Sequence, residues 1–146
     1  MKRPIAARRR KLWVAPLILL LVVAALGWQW HQREKVAAAV SGMWKGEVTY
    51  GWGAAYTEQF LFEAEGEKLF GTASFLAFKR GIENGEVDGE RISFSVRYQE
   101  AFGATALGRI NRYNGTVSGN QIYFRMQDDK GSPPVDFVAR KVEAAG

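Results

Sequence analysis

The sequence predicts an all-β domain, an antiparallel up-and-down meander of about eight strands closing into a small barrel, behind one N-terminal transmembrane helix. Three observations carry this prediction. An apolar stretch without any ionisable side chain, Leu12–Trp30, lies near the start of the chain. After it, helical periodicity disappears and short alternating runs of apolar and polar residues appear. Within those runs, one hairpin-like motif occurs twice.

The stretch Leu12–Trp30 has the length and composition of a transmembrane helix. At about 1.5 Å per residue it would cover roughly 28 Å, close to the hydrocarbon thickness of a bilayer. Trp13 lies at one end of the stretch, and Trp28 and Trp30 lie at the other. Tryptophan rings settle at the headgroup level of a membrane. Membrane lipids are therefore the first expected partners.

The residues before the stretch predict its orientation. Residues 1–11 contain six cations and no acid, so the positive-inside rule keeps the N-terminus in the cytoplasm and exports the residues after Trp30. The expected location is the bacterial inner membrane, single-pass, with a periplasmic C-terminal domain. Cleavage as a signal peptide stays open at Ala25-Leu26-Gly27 or Ala37-Ala38-Ala39, but the span length and both tryptophan belts favour an uncleaved signal-anchor.

Composition divides the chain into four segments. They are a basic cytoplasmic tail (1–11), the transmembrane helix (12–30), a linker (31–41) and an extracytoplasmic β-barrel domain (42–143). The Ala-rich linker is expected to continue the helix briefly until Ser41-Gly42 ends it.

Charge and cysteine content exclude several classes of function. Residues 41–146 hold 12 Lys and Arg against 14 Asp and Glu, a net charge of −2, so the basic residues are concentrated in residues 1–40. A nucleic-acid partner needs a basic face on the folded domain, and we predict none. The chain has no cysteine, which excludes disulfides, thiolate nucleophiles and Cys-ligated metals.

The repeated motif predicts hairpins. Residues 84–96 and 114–126 share the pattern N-G-x-V-x-G-x-x-I-x-F in the same register. In each copy a strand ends at the valine, the chain turns at Gly89 or Gly119, and the next strand starts at the isoleucine. The segment Glu65–Leu69 looks like a degenerate third turn of the same kind.

Alternation and turn signals together predict eight strands. They are Met43–Tyr50, Tyr56–Ala64, Lys68–Phe78, Gly81–Val87, Arg91–Tyr98, Thr105–Val117, Gln121–Gln127 and Val135–Val142. A meander of about eight strands usually closes to remove its edges. In the region 100–117 a loop remains the alternative to a straight strand, because the region is rich in glycine.

The two ends of this meander resemble the lipocalin arrangement. Gly42-Met43-Trp44 begins the first strand with G-x-W, and Arg140 lies in the last strand. The pattern of residues 42–142 is also similar to small bacterial lipocalin-like (calycin-like) domains of unassigned function. The resemblance implies that Trp44 closes the barrel base and that Arg140 stacks on its face. The strands are shorter than those of lipocalins that hold large ligands.

Catalytic chemistry is not predicted. His31 is the only histidine, and it lies at the predicted membrane edge. The folded domain therefore cannot build a Ser-His-Asp triad or a His-ligated metal site, and we predict no enzyme, cofactor or metal. The acidic runs at 63–67 and 128–129 are interpreted as a solvated strand face and a polar turn.

Two apolar loops supply the candidate interaction or ligand residues. Trp52 lies between two glycines in one loop with Tyr56 nearby, and Phe102 lies in the other. Either these rings fill the barrel core, or they are exposed and contact a ligand, the bilayer or a partner protein. Whether both loops lie at the same end of the barrel stays open.

The predicted function is that of a non-enzymatic single-pass membrane protein. Its periplasmic barrel would act as an interaction module or accessory subunit of a membrane or envelope complex, with a protein partner. The alternative is a membrane-tethered lipocalin-like carrier of a small apolar ligand, such as a lipid or pigment. A filled barrel with exposed loop aromatics favours the first function, whereas an apolar cavity larger than a few waters favours the second.

Overall fold

The computed structural model describes residues 14–143, without the side chains of Val14, Ala15 and Phe102. One helix, α1 (Val14–Val40), precedes eight strands. The strands are β1 (Gly42–Thr49), β2 (Ala55–Glu65), β3 (Lys68–Phe75), β4 (Phe78–Asp88), β5 (Arg91–Phe102), β6 (Thr105–Ser118), β7 (Gln121–Asp128) and β8 (Val135–Lys141). The chain divides into two compact units, one up to Gln32 and the other from Arg33 onward.

The first unit consists of the N-terminal part of α1. Its apolar side chains from Leu17 to Leu26 are exposed, and so are Trp28 and Trp30 of the predicted membrane belt. The third belt residue, Trp13, and the tail 1–11 lie outside the described residues. Within the part of the chain that the structure describes, we find no helix that combines the length and the apolar character needed to cross a membrane.

The last turn of α1 belongs to the second unit and closes one end of the barrel, here called the base. The helix ends at Val40, as predicted, because Gly42 adopts a non-helical φ of 124°. Before it, the Ser41 hydroxyl and N–H both donate to the Ala37 carbonyl, at 2.8 and 3.0 Å. Val40 is buried, and its carbonyl accepts the indole N–H of the buried Trp44 at 2.8 Å. The G-x-W tryptophan therefore fixes the helix end to the barrel.

The cation beside Trp44 is not the predicted one. Lys141 lies over the Trp44 ring, with its Nζ 5.3 Å from the ring centroid, while Arg140 is exposed. The register explains the correction, because Lys141 is paired with Trp44 and Arg140 with the outward-facing Lys45. Successive side chains of a strand point to opposite faces of the sheet, so Arg140 is on the outside.

The eight strands form a closed antiparallel barrel in sequential order, with β8 paired to β1. The predicted all-β meander is therefore confirmed. Hairpins that follow even-numbered strands turn at the base. Those that follow odd-numbered strands turn at the opposite end, here called the mouth.

The repeat forms equivalent turns at the base. Gly89 and Gly119 have φ values of 56° and 57°, and Gly66 in the third turn has a φ of 60°, as the motif predicted. The Asn-Gly pairs before them differ. Asn84 has a φ of 52° and lies in a β-bulge, whereas the second Asn-Gly pair continues a regular strand, since Gly115 pairs with Ile92 and Phe124.

Three strand boundaries differ from the prediction by three or four residues: β3 ends at Phe75 and not at Phe78, β4 begins at Phe78 and not at Gly81, and β5 ends at Phe102 and not at Tyr98. The turn between β3 and β4 is formed by Leu76 and Ala77, with φ values of 53° and 65°, so the predicted strand through Phe78 is wrong by three residues. The alternative of a loop in the region 100–117 is also wrong, because β5 and β6 pair without interruption from Arg91–Thr116 to Phe102–Thr105.

Aromatic rings fill the barrel between base and mouth. The Phe60 ring has five ring neighbours among the described residues, with centroids 5.2–6.3 Å away. They are Phe62, Phe94, Tyr113, Phe124 and Phe137. All six rings are buried. An eight-stranded barrel is just wide enough to be filled by its own side chains, and this one is filled below the mouth.

Candidate functional site

The two apolar loops singled out in the sequence lie at the same end of the barrel. The loop carrying Trp52 joins β1 to β2, and the one following Phe102 joins β5 to β6. Both are hairpins at the mouth, so the topology answers the question that the sequence left open. The backbone of Phe102 is described, but its side chain lies outside the described part of the structure.

Trp52 is exposed at the mouth, and its ring is supported by the buried Tyr50. Its side chain is 64% exposed, and its ring stacks on Tyr50 with centroids 4.7 Å apart and planes 5° from parallel. Tyr56 makes an edge contact with the same Tyr50 ring at 6.0 Å. Two backbone hydrogen bonds across the loop, from Tyr50 to Ala54 and from Gly53 to Tyr50, measure 2.9 and 2.8 Å. Trp52 is therefore presented on a supported loop.

A second exposed ring at the mouth was missed by the sequence analysis. Phe78 directly follows the Leu76-Ala77 turn and is 69% exposed. The sequence assigned Phe78 to a strand end, because that turn contains no Gly, Pro, Asn or Asp to mark it. Among the residues whose side chains are described, Trp52 and Phe78 are the most exposed aromatic residues of the mouth, beside Tyr56, which is 36% exposed; Trp52 and Phe78 together are called the rim pair.

A buried carboxyl group lies beneath the rim. Glu58 is 1% exposed and accepts a hydrogen bond from the Tyr50 hydroxyl at 2.8 Å. It also accepts one from the Ser74 hydroxyl, and the Ala77 backbone N–H approaches both of its oxygens at 3.3 and 3.4 Å. Glu58 thereby ties Tyr50, the support of Trp52, to the β3–β4 turn that presents Phe78.

A sequence signal for this buried glutamate existed. Glu58 precedes Phe60 and Phe62 at intervals of two, which places it on the inward face of β2. The sequence analysis instead considered the acidic residues at 63, 65 and 67, which are exposed, as predicted for a solvated face. Among residues 14–143, no group of three or more His, Cys, Asp or Glu could hold a metal ion.

Two buried tyrosines beside this carboxyl group have raised pKa values. Burial raises the pKa of Tyr50, and its hydrogen bond to Glu58 adds to the effect. Burial also raises the pKa of Tyr113, with a further contribution from the charge of Glu58. The Asn111 side chain acts in the opposite direction and lowers the pKa of Tyr113.

These shifts predict a loss of stability at alkaline pH. Below the usual tyrosine pKa of 10.0 the folded and unfolded chains are both protonated, so the contribution of each tyrosine is fully present. Above it the unfolded chain releases protons that the folded chain retains, and we expect the free energy of unfolding to fall by up to about 1.4 kcal/mol per pH unit for each tyrosine. Urea unfolding between pH 8 and 11 measures this slope. Burial also raises the pKa of Tyr98, so the Tyr113→Phe variant should lose part of the slope while Tyr50 and Tyr98 retain the rest, and an unchanged slope would contradict the assignment.

A cavity of about 520 Å³ opens between the mouth hairpins and is here called the mouth pocket. Apolar side chains from several strands and loops contribute to its wall. They include Trp52, Phe75, Leu76, Phe78 and Met126. Pockets of 300–1,000 Å³ with apolar walls and a few polar groups are typical of small-molecule sites.

An ion network occupies one side of the mouth pocket. Glu100 is paired with Lys130 at 2.5 Å and with Arg109 at 3.0 Å, and its hydrogen bond to Lys130 contributes most to lowering the pKa of the Glu100 carboxyl. Asp128 accepts the backbone N–H groups of Lys130 and Ser132 at 3.1 and 3.0 Å. Both carboxyl groups in the pocket wall therefore already have partners: Glu100 has two ion pairs, and Asp128 has two backbone hydrogen bonds.

A larger groove of about 890 Å³ is lined by residues of strands β4 to β8. Its polar side chains are mostly solvated, and Arg125 and Asp136 within it form a two-pronged ion pair at 2.7 and 2.8 Å. The groove lies at the opposite end of the strands from the rim pair. The mouth pocket is the better candidate site, because its wall is largely apolar and includes both rings of the rim pair.

No protein-family model, curated protein or solved structure matches this chain. The function proposed for the candidate site is therefore inferred from the geometry of the site alone.

Proposed function

We propose that this chain is a non-enzymatic, membrane-tethered interaction module or accessory subunit of an envelope complex. The observation that supports it most is the rim pair: Trp52 and Phe78 are exposed at the open end of a barrel whose interior is filled. Exposed aromatic residues are enriched in protein interfaces, where their burial supplies much of the binding energy. The barrel mouth would therefore contact the protein partner.

The tether in this proposal is the apolar stretch Leu12–Trp30. Its support is the sequence: an uncharged run of membrane-spanning length, tryptophans near both ends and six cations before it. In this arrangement the N-terminus is cytoplasmic, the barrel is periplasmic and the protein belongs to the inner membrane. The chain enters the barrel at its base, through the last turn of α1, so the mouth is the opposite end of the barrel.

The filled interior favours docking of a partner protein at the rim over binding of a ligand deep inside the barrel. Phe60 and its ring neighbours occupy the volume in which larger barrels enclose a ligand. A partner would therefore be recognised at the rim, with the two exposed rings as its contacts.

A second candidate function is a membrane-tethered, lipocalin-like carrier of a small apolar ligand. The observation that favours it is the mouth pocket, whose volume of about 520 Å³ exceeds that of a few waters. A ligand there would be held shallowly, above the aromatic core.

Extraction in mild detergent, followed by native size determination and mass spectrometry, tests the proposed function. We expect the full chain to migrate in a larger assembly with a stoichiometric partner. The Trp52→Ala and Phe78→Ala substitutions should each raise the dissociation constant of that assembly at least tenfold. Tyr123→Ala is the matched control, because Tyr123 is an exposed ring on the outer wall. Migration as a lone chain, or equal loss with the Tyr123 variant, would overturn the docking function.

A further inference from the structure

The β5–β6 hairpin continues beyond its pairing with the strands on either side of it. Strand β5 forms its last pair with β4 at Val96, and β6 forms its last pair with β7 at Asn111. From there toward the mouth, β5 and β6 are paired with each other over six further pairs, which end at Phe102–Thr105. Within the described strands, residues 97–102 and 105–110 therefore form a two-stranded ribbon, here called the mouth ribbon.

The mouth ribbon has two edges, and the β6 edge is the open one. Edge strands present backbone N–H and C=O groups that have no strand to pair with. The β5 edge faces the first residues of β4 across a cleft of about 680 Å³, so another strand already lies beside it. The β6 edge extends past the end of β7, and the following loop contacts it through the Asp129 carboxylate, which accepts the Ile110 N–H at 3.2 Å. From Thr105 to Arg109, no described strand other than β5 pairs with β6.

The open edge lacks the features that usually keep edge strands from pairing. Natural proteins protect such edges with charged side chains, proline or bulges. Between Glu100 and Arg109 the ribbon has no ionisable residue and no proline, and its pairing is regular. The Arg109 charge is itself paired, because its Nε lies 3.0 Å from the Glu100 carboxylate. Leu107 lies in the middle of the open edge and is 44% exposed.

The open edge is complementary to itself. Its backbone groups need a strand as partner, since the hydrocarbon of a bilayer offers no hydrogen bonds. Antiparallel pairing with a second copy, across a twofold axis at Leu107, places the two exposed leucines opposite each other. Ala106 then lies opposite Gly108. Thr105 lies opposite Arg109, so no like charges face each other across the pair.

We propose that the mouth ribbon joins two copies of this chain, through antiparallel pairing of the β6 edge from Thr105 to Arg109 with the same edge of the second copy. The two ribbons then form one four-stranded sheet in the order β5, β6, β6, β5. This inference goes beyond the proposed function, because it assigns a role to the second apolar loop, which the rim pair does not use. Since the edge is short, we expect an association in the micromolar range, as in transient complexes with small interfaces.

Cysteine cross-linking tests the proposed register, because the chain has no cysteine of its own. We expect the full chain with Leu107→Cys, purified in mild detergent at micromolar concentration, to form covalent dimers with a short thiol cross-linker. The Cβ atoms of directly opposed residues are only about 4.5–5.5 Å apart. Thr116→Cys is the matched control, because Thr116 is exposed on the same strand but has β5 and β7 paired on its two sides. It should give at least tenfold less covalent dimer.

A charge on the open edge tests the association itself. Leu107→Lys should raise the dissociation constant of the dimer at least tenfold, because charged side chains on an edge strand oppose pairing. Its melting temperature should be unchanged, since Leu107 lies outside the buried core. Thr116→Lys is the control and should leave the dissociation constant unchanged. Sedimentation velocity of the full chain in the same detergent, over a micromolar concentration series, measures both variants.

The outcomes separate this proposal from the proposed function. Sedimentation as a single chain throughout the series would overturn pairing between copies and leave the open edge to a strand of another protein. Equal cross-linking of the two cysteine variants, or an undiminished dimer with Leu107→Lys, would also overturn it. An assembly in which mass spectrometry finds this chain alone would overturn docking of a partner protein but not the dimer.

Discussion

Replacing Phe60 with alanine is expected to lower the free energy of unfolding by about 3–5 kcal/mol, the range for truncating a fully buried phenylalanine. Phe60 is 1% exposed and lies at the centre of the aromatic core. Its stacked neighbours Phe124 and Phe137 have centroids only 5.2 and 5.9 Å away. Their rings are held by strands of a closed barrel, which cannot collapse easily into the space left behind. Denaturant unfolding of the full chain, followed by far-UV circular dichroism, measures the loss.

Phe70→Ala is the matched control for this experiment. Phe70 lies on the neighbouring strand β3 but points outward and is half exposed, so its truncation should change the free energy of unfolding by no more than about 0.5 kcal/mol. A small loss for Phe60→Ala, similar to that of Phe70→Ala, would mean that the barrel interior is loosely packed. In that case a deeper ligand cup would become the better description of the domain.

Features that depend on neighbouring residues were predictable from the sequence. Alternation located all eight strands, because the side-chain period of a strand is a local property. The positive φ of Gly89 and Gly119 was predictable for the same reason, since a tight turn needs a residue that tolerates left-handed backbone. Closure into a barrel followed from strand number and the absence of helices between strands.

Features that depend on register or on distant contacts were not predictable. The resemblance to lipocalins placed Arg140 over Trp44, but a shift of one residue in register exchanges the two faces of a strand, and Lys141 takes that position. The turn at Leu76 and Ala77 has no local signature. It is held by the Glu58 carboxyl group, which lies nineteen residues before Ala77 in the sequence.

The sequence analysis also missed the buried Asn111, which lies in the wall of the mouth pocket. Asn111 precedes Tyr113 and Val117 at even intervals on the inward face of β6, so alternation alone indicates its direction. Whether its amide has a partner depends on side chains contributed by other strands. Local patterns thus indicate where a side chain points, and the three-dimensional packing decides whether it is satisfied.

Replacing Glu58 with alanine is expected to lower the free energy of unfolding by about 2–5 kcal/mol, because it leaves several buried donors without their acceptor. The Tyr50 and Ser74 hydroxyls and the Ala77 N–H all donate to this carboxyl group. The loss should include local loosening of the β3–β4 turn, whose two central residues adopt left-handed backbone that costs free energy without outside support. Thermal and urea unfolding measure the global effect, and hydrogen exchange at Ala77 measures the local one.

Glu63→Ala on the same strand separates burial from charge. Glu63 is exposed, so removing its carboxyl group should change stability by about 0.5 kcal/mol or less. A double-mutant cycle between Glu58→Ala and Tyr50→Phe should give a coupling of about 0.5–3 kcal/mol, as for residues in one hydrogen-bond network. Coupling near zero would mean that Glu58 does not hold Tyr50. The support beneath Trp52 would then have to come from ring stacking alone, and the rim pair would be less firmly presented than the docking function requires.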